Sequence, residues 1–308
     1  MIYLIIIMSS KGKTIVITGA TGGIGINTAI GLAQKNNGAN RIIITGRNAE
    51  RGQAAVQRIT KETGNSNVAL VLTQDMDLST AVGVQALAQA LLKETNSVID
   101  VLVNNVGYLS DELKHNDEGL EMHFAVNVAL PWRLTMALLP ALEKTSARVV
   151  NVTGGEETAG PIDVDNLQAE KGFAGLMTYG HSKSVSEAMS MALAQKLKSN
   201  NITVNVVFPG RASTAMTQES FTFQSLPGLM KLFYPLMWLM FRDDGGKSAA
   251  KAATSSIFAA TNASLQGVTG KYYNSTAKEQ SLHATAYDAD IQAKVVEIIQ
   301  RSSSTSSK

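Results

Sequence analysis

The chain has 308 residues, a formal net charge of +2, 44% hydrophobic and 17% charged residues, which is the composition of a soluble globular protein. So small a net charge gives no field for attracting nucleic acid. The chain contains no cysteine, which excludes disulfides and thiolate metal sites and fits a reducing compartment such as the cytoplasm.

Both ends of the chain differ in composition from the rest. Residues 1–12 form a short apolar arm, "MIYLIIIMSSKG", whose apolar run is well below the roughly 20 residues of a membrane span. Lys11 and Lys13 follow the apolar run, whereas a secretory signal carries its positive charges first. Three interpretations stay open: a structural arm, a natural start at Met8, or a tail that touches a membrane. Residues 301–308, "RSSSTSSK", predict a disordered tail.

Strands and helices alternate between these ends. Six apolar, β-branched runs predict buried parallel strands: "KTIVITGA", "RIIITG", "NVALVLTQD", "VIDVLVNNVG", "ARVVNVT" and "ITVNVVFPG". Helices are predicted between them over residues 24–34, 49–63, 80–93, 116–139 and 179–199. This alternation predicts an α/β fold with a doubly wound parallel sheet and helices on both faces. No linker interrupts residues 13–300, so we expect one domain.

A glycine-rich loop, "TGATGGIG", directly follows the first predicted strand. Glycines at positions 19, 23 and 25 let the backbone turn tightly and approach a pyrophosphate, while the following helix offers free N–H groups. Strand, loop and helix together indicate a Rossmann-type dinucleotide site. Its predicted residues are Gly19, Thr21, Gly23, Ile24 and Gly25.

The end of the second predicted strand bears on the choice of dinucleotide. Gly46 stands where an acidic residue would bind the ribose of NAD, and the basic Arg47 follows. A basic residue there favours the 2′-phosphate of NADP(H). The alternative is that Arg47 is a solvated residue at the start of a helix.

The segment "YGHSK" places Tyr179 four residues before Lys183, so that both lie on one face of a predicted helix. A phenol has a pKa of about 10, and a nearby ammonium lowers that pKa toward the neutral pH at which an enzyme works. With the glycine loop and "NNVG", this pair makes the chain resemble the short-chain dehydrogenase/reductase family from about Lys13 onward. The insert "NLQAEKGFAGLMTYGHSK" resembles the retinol-dehydrogenase-like branch.

The resemblance implies an oxidoreductase that transfers a hydride between NADP(H) and an apolar carbonyl or alcohol, with Tyr179 passing the proton. It implies that Lys183 also holds the nicotinamide ribose, and that the Asn127 side chain helps to retain a water of the proton relay. A solvent-facing Asn127 is the alternative. The further cofactor-binding residues that it implies are Asp77, Leu78, Asn105, Gly107, Pro209, Gly210, Ala212 and Thr214. For Asp77, a helix cap is the alternative role, and Asp75 is the rival position.

One position departs from the pattern of this branch. Members of the retinol-dehydrogenase-like branch carry two serines at the end of the strand before the insert, and the second serine binds the substrate oxygen. In this chain the two positions are Thr153 and Gly154. Losing one such donor lowers the rate by about 10²–10³. Thr153 or Thr158 would have to replace it. Two hypotheses follow: an enzyme that tolerates the loss, or an NADP(H)-binding relative with a regulatory or scaffold role.

Residues 215–246 are rich in Leu, Met, Phe and Trp and are predicted to form a lid over an apolar substrate. Within them, residues 226–241 are also amphipathic enough to contact a membrane surface peripherally or a second subunit of a homo-oligomer, and a core helix is a further alternative. The four histidines show no metal spacing, so solvated or helix-face positions are expected for His115, His123, His181 and His283.

Overall fold

The computed structural model describes residues 12–154, 160–210, 212, 232 and 244–305. Most of the predicted lid therefore lies outside the described residues, and so do the apolar arm up to residue 11, Thr158 and Thr214.

The described strands form a single sheet. They are β1 (Thr14–Ile17), β2 (Arg41–Gly46), β3 (Val68–Leu72), β4 (Val101–Asn104), β5 (Arg148–Val152), β6 (Thr203–Val207), β7 (Tyr272–Tyr273) and β8 (Glu279–Gln280). Their order in the described sheet is β3-β2-β1-β4-β5-β6-β7-β8, and all neighbours are parallel except β7 and β8. The predicted doubly wound fold is confirmed. The strand order reverses between β1 and β4, where such sheets bind their ligands.

Helices cover both faces of this sheet. They are α1 (Gly23–Ala33), α2 (Ala49–Thr63), α3 (Ala81–Glu94), α4 (Met122–Phe124), α5 (Leu130–Ala137), α6 (Leu139–Leu142), α7 (Gly175–Leu197), α8 (Lys247–Thr261) and α9 (Ala289–Thr305), with a π-helical turn at Ala125–Ala129. Single 3₁₀ turns lie at Lys35–Gly38, Glu143–Thr145, Lys198–Asn200, Ala263–Leu265 and Ala284–Tyr287. The predicted bounds of α1, α2 and α3 agree with these within a residue.

Each face of the sheet has its own apolar core. Because successive strand residues point to opposite faces, Ile15 and Ile17 pack in one core, together with residues of α1, α2 and α8. Val16 packs in the other core with residues of α3, α5, α7 and α9. Strands that are apolar on both sides are the expected pattern for a parallel sheet buried on both faces.

The single helix predicted over residues 116–139 is wrong. Gly119 adopts a positive φ of 77°, and helical structure begins only at Met122. It then passes through the π-helical turn before α5, whose start contains Pro131. A proline lacks the N–H that would bond to the carbonyl four residues earlier, here Asn127, and its ring crowds that carbonyl. Glycine and proline therefore break the regular helix here.

The disordered tail predicted for residues 301–308 is wrong for residues 301–305, because α9 continues to Thr305. The hydroxyl of Ser302 accepts a hydrogen bond of 2.8 Å from the buried Arg133 and donates to the carbonyl of Ile298 in its own helix. Arg133 also pairs with Glu118 at 2.7 Å. The serine-rich end thus supplies one hydrogen-bond partner to a buried cation on α5, which composition alone does not reveal.

Membrane contact was proposed above for two segments that the structure leaves almost wholly undescribed. In the described part of the chain, no single helix has both the length and the apolar composition needed to cross a membrane. The helices Met122–Ala137 and Leu139–Thr145, bent by 59°, meet both criteria only as a pair. Most of their apolar side chains pack in the core of this fold.

Candidate active site

Tyr179 and Lys183 lie one turn apart on α7, as predicted. Lys183 is only 5% exposed, and its Nζ lies 5.7 Å from the centre of the Tyr179 ring. The same Nζ donates to the carbonyl of Val152 at 3.3 Å. Because Val152 is the last residue of β5, this bond holds the ammonium at the carboxyl edge of the sheet, where ligands bind in this fold.

Burial shifts the pKa values of both groups. It raises the pKa of the Tyr179 phenol to about 12, so the lowering that we predicted from the ammonium is outweighed in this structure. Burial also lowers the pKa of Lys183 to about 8, although the negative charge of Glu187 acts in the opposite direction. A low-polarity site disfavours the charged form of each group, and Tyr179 therefore keeps its proton at neutral pH.

Asn127 lies in the π-helical turn, and its side chain links three segments. Its Oδ1 accepts from the N–H of Tyr108 at 2.8 Å, and its Nδ2 donates to the carbonyl of Tyr108 at 3.0 Å and to the hydroxyl of Ser182 at 2.9 Å. Ser182 in turn donates to the carbonyl of Tyr179. The solvent-facing alternative is wrong, since Asn127 is buried. Both amide hydrogens are used within the protein, so any water could be held only through Oδ1.

Thr153 does not take the place of the missing serine. The strand has ended at Val152, but the Thr153 hydroxyl lies 3.1 Å from the carbonyl oxygen of Lys183 and 3.2 Å from Oε1 of Glu187. It is therefore turned toward the interior face of α7. Gly154 is described but has no side chain, and Thr158 lies outside the described residues.

Glu187 is a residue that the sequence analysis missed. It is 1% exposed and follows Lys183 by one turn on the same face of α7. Burial raises its pKa to about 8, against the lowering effects of the Thr153 hydroxyl and the Lys183 charge. The sequence signal was its setting in "SVSEAMSMA", where small and apolar neighbours make a solvated glutamate improbable.

A second buried pair was also missed, since His123 was expected to be solvated or on a helix face. His123 is fully buried, and its Nε2 accepts from the N–H of Ser110. Its Nδ1 therefore carries the hydrogen and donates to Glu121 at 2.7 Å. Burial raises the pKa of Glu121, but the bonds from His123 and from the N–H of Phe124 lower it more, and the net shift is downward.

The other histidines differ among themselves. His181 is partly buried, and its Nε2 accepts from the N–H of Asp163. Burial lowers the pKa of His181. His115 and His283 are exposed, as expected.

The glycine loop has the geometry that its sequence predicts. Gly19 and Gly23 adopt positive φ angles of 64° and 54°, which favour glycine. A Cβ on Gly25 would lie 2.6 Å from the carbonyl oxygen of Gly19, so only glycine fits there, whereas a Cβ on Gly22 would meet nothing within 4 Å. The first turn of α1 has no side-chain cap and no acidic residue. These uncapped N–H groups beside open space fit an anionic phosphate.

Asn105 braces this loop. Its Nδ2 donates to the carbonyl oxygens of Thr18 and Gly19 at 2.9 and 3.2 Å. The Thr18 hydroxyl accepts from the N–H groups of Asn105 and Val106, and Thr45 accepts from the N–H of Gly19. The Asn105 side chain, predicted to bind the cofactor, is thus occupied in holding the loop that would bind it.

Gly46 and Arg47 lie at the end of β2 next to the loop. A Cβ on Gly46 would approach the Cγ2 atom of Thr21 to 2.2 Å, so the small residue makes room for Thr21. An acidic side chain at this position would displace it. Arg47 is exposed just before α2, where a bound 2′-phosphate could reach it.

Asp77 and Leu78 are the residues predicted to lie at the adenine pocket. Oδ1 of Asp77 accepts from the N–H and the hydroxyl of Ser79 at 2.9 and 2.7 Å, while Thr80 is the N-cap of α3. Asp77 thus accepts hydrogen bonds in the turn just before α3, which resembles the helix-capping role given above as its alternative. Leu78 packs against the core, and the rival Asp75 is exposed.

The remaining predicted cofactor residues that the structure describes follow strands or begin a helix at the same edge of the sheet. Pro209 and Gly210 follow β6 after Phe208, and Gly210 has a positive φ of 85°. A Cβ there would lie 3.0 Å from the Cβ of Ser275. Ala212 is buried, Gly107 follows β4, Ile24 lies in the first turn of α1, and Thr214 lies outside the described residues.

Comparison with known proteins agrees with this geometry. The family model described as short chain dehydrogenase matches residues 13–225. Retinol dehydrogenase 12 of Mus musculus is 33% identical over 264 residues, which cover 85% of this chain and 78% of that protein. Retinol dehydrogenase 14 of Homo sapiens is 31% identical over 299 residues, covering 93% and 85%.

A solved structure shows the same likeness. The complex of Pseudomonas aeruginosa RhlG with NADP is 26% identical, has a TM-score of 0.60, and is matched over 86% of this chain and 95% of that chain. The chain is thus similar over most of its length to proteins of the kind that its motifs indicate.

Proposed function

Because this chain belongs to the short-chain dehydrogenase/reductase family, in its retinol-dehydrogenase-like branch, we propose that it is an NADP(H)-dependent oxidoreductase acting on apolar carbonyls or alcohols. The observation that carries this proposal is the buried Lys183 ammonium, 5.7 Å from the Tyr179 ring. The pair lies at the carboxyl edge of a sheet whose glycine loop fits a phosphate. Such an arrangement has little structural purpose, since burying a lysine is unfavourable.

The geometry of the glycine loop and of the end of β2 indicates which residues would hold the cofactor. The first-turn N–H groups of α1 would bind the pyrophosphate, and Arg47 would pair with a 2′-phosphate. Lys183 would donate to the nicotinamide ribose. When bound, the nicotinamide supplies or removes the hydride at the substrate carbon. The similarity to a solved NADP complex supports a nicotinamide cofactor, and Arg47 beside Gly46 supports the phosphorylated form.

Tyr179 is the proton-transfer group of the proposal. In the reducing direction its O–H gives a proton to the substrate oxygen as the hydride reaches the carbon, and in the oxidising direction the proton returns. The high pKa of the phenol keeps the acid form ready at neutral pH. The adjacent ammonium stabilises the phenolate that forms, and its bond to Val152 holds it in place.

An apolar substrate is supported by the aromatic residues beside Tyr179. The His123 ring lies 5.2 Å from Tyr108, 5.8 Å from Phe173 and 6.4 Å from Tyr179, measured between ring centres. The rings of Tyr108, Phe173 and Tyr179 around this buried histidine are partly exposed, and such surfaces favour flat or unsaturated apolar molecules over strongly hydrated ones. The relatives named retinol dehydrogenases point the same way.

The second candidate function is an NADP(H)-binding relative with little or no turnover. Gly154 favours it, because Thr153 is occupied with Lys183 and Glu187 and cannot supply the missing hydroxyl. Without that donor, the rate would be lower by about 10²–10³. Lys183 beside Tyr179 favours the enzyme, since burial of a lysine is unfavourable unless it serves chemistry.

NADPH consumption against a panel of apolar aldehydes and ketones tests both candidates. We expect native turnover that Tyr179→Phe abolishes, while the matched control Tyr287→Phe, at an exposed tyrosine, retains it. Gly154→Ser is expected to raise kcat by about tenfold or more, because it restores a donor to the developing oxyanion. NADPH binding without consumption, until Gly154→Ser is made, would support the non-catalytic relative. A native turnover that survives Tyr179→Phe would contradict the proposed mechanism.

A further inference from the structure

The buried carboxyl of Glu187 lies behind the proposed catalytic pair, on the same face of α7 as Lys183. Its Oε1 is 3.2 Å from the Thr153 hydroxyl oxygen, which is also 3.1 Å from the carbonyl oxygen of Lys183. Thr153, Lys183 and Glu187 are each at most 5% exposed. Bulk water therefore does not compete for these contacts.

The number of hydrogens in this cluster indicates the state of the carboxyl. A hydroxyl carries one hydrogen, and the Lys183 carbonyl can only accept. If Thr153 donated to a Glu187 carboxylate, its oxygen would face the Lys183 carbonyl oxygen with no hydrogen between them. If Glu187 is protonated, it donates to Thr153, and Thr153 donates to Lys183. Only the protonated form satisfies both contacts.

The other fully buried glutamate of this region gives the contrast. Glu121 is as buried as Glu187, yet it receives two N–H donors, from the His123 ring and the Phe124 backbone. Within the part of the chain that the structure describes, no N–H group bonds to the Glu187 carboxyl. Two N–H donors stabilise a carboxylate, whereas a hydroxyl can serve a carboxylic acid equally well. The pKa shifts of the two groups agree in direction, downward for Glu121 and upward for Glu187.

Few other ionisable groups face the pair among the described residues. Tyr179 precedes Lys183 by one turn, and Glu121 and His123 lie behind the Tyr179 ring. β5 contributes the Val152 carbonyl, and the uncharged Thr153 follows it. Arg133 on α5 is paired with Glu118. The charged residues of α9, which packs against α7, are exposed: Asp290, Lys294, Glu297 and Arg301.

We propose that Glu187 is a protonated carboxylic acid at neutral pH and a carboxylate only in alkaline solution, where its charge keeps Lys183 an ammonium. In alkaline solution the carboxyl proton passes to hydroxide, forming water, and Thr153 turns its own hydrogen to the new carboxylate. Lys183 would otherwise lose its proton readily, because it is buried. Glu187 is thus a positioning residue that extends the pH range of the pair upward. Its catalytic consequence rests on the function proposed above, whereas its protonation state does not.

The protonation state can be measured without activity. Carbon-13 NMR of the protein labelled at the glutamate carboxyl carbons, titrated with pH, gives the pKa of each buried glutamate, and Glu187→Gln and Glu121→Gln identify the two resonances. We expect the Glu187 signal to titrate above neutral pH and the Glu121 signal to titrate below 4.5, the ordinary value. A Glu187 signal that titrates at or below 4.5 would overturn the proposal, whether or not the protein turns over substrate.

The consequence for Lys183 is tested by the pH profile of NADPH-dependent turnover. Glutamine resembles the protonated glutamate but cannot ionise. We therefore expect kcat/KM of Glu187→Gln relative to the native chain to fall as the pH rises from about 7 to above about 9, by up to about tenfold, the limit that a shift of one pKa unit in Lys183 sets. A ratio that does not depend on pH would overturn this role. If no chain turns over substrate, the proposed function fails, and the NMR titration still decides the state of Glu187.

Discussion

At the scale of single residues, the proposed site departs from the pattern expected of its branch at the carboxyl edge of β5. Gly154 removes a hydroxyl, and the neighbouring Thr153 is directed to Glu187 and to the backbone of Lys183. The sequence showed the absent hydroxyl but not the direction of the remaining one. That direction depends on a glutamate far along the chain, which only the packing of α7 against β5 brings into contact.

The buried Glu187 also predicts how stability changes with pH. Its pKa is about 8 in the folded chain against 4.5 ordinarily, so the folded state holds a proton that the unfolded state loses between these values. The stability contributed by this proton is present below 4.5 and is lost as the pH rises toward 8. We expect the unfolding free energy of the native chain, relative to Glu187→Gln, to fall by up to about 1.4 kcal/mol per pH unit in this window.

Urea unfolding at several pH values between about 5 and about 8 measures this difference. Glu121→Gln is the matched control: the pKa of Glu121 lies below its ordinary value, so its difference from the native chain should be nearly constant in the same window. Parallel curves for native and Glu187→Gln would show that Glu187 is ionised throughout.

At the scale of secondary-structure elements, β1 to β6, the first three helices and most of α7 followed from sequence pattern, and the region before α6 did not. The region of residues 116–139 has apolar residues at helical spacing, yet Gly119 and Pro131 interrupt it. The resulting π-helical turn places Asn127 against Tyr108 and Ser182. A break in one helix thus connects the β4 loop to the helix that carries Tyr179.

The end of α9, where the sequence predicted a disordered tail, can be tested by mutation. Ser302→Ala removes the hydroxyl that accepts from the buried Arg133, and we expect it to lower the unfolding free energy by about 1–3 kcal/mol, because a buried charged donor loses a partner. Ser303→Ala is the control, since the hydroxyl of Ser303 bonds only to the backbone of its own helix and should matter less. Equal and negligible effects in urea unfolding would indicate a disordered end.

At the scale of the whole molecule, cofactor binding should stabilise the fold, because the glycine loop, β1, β2 and β4 meet at the point where the strand order reverses. A ligand at 100 times its Kd adds about 2.7 kcal/mol of stability. We expect NADPH to raise the Tm more than NADH at equal concentration, because Arg47 can pair with the 2′-phosphate.

Arg47→Ala should remove most of the difference between the two nucleotides. Arg58→Ala is the matched control on α2, the helix that follows Arg47, since Arg58 is exposed and pairs with Glu62. Differential scanning fluorimetry gives both comparisons. Equal Tm shifts with NADPH and NADH in the native chain would contradict the preference for NADP(H).

The sequence by itself determined the α/β class, the glycine loop and the Tyr179–Lys183 pair, because these depend on residues close together in the chain: β-branched runs, glycines after a strand, and residues one helical turn apart. Only the tertiary structure decided what surrounds them. Burial reversed the pKa shift expected for Tyr179, His123 proved to be in the core, and Ser302 proved to bind Arg133. These outcomes depend on contacts between distant segments and on the exclusion of water, which local pattern does not encode.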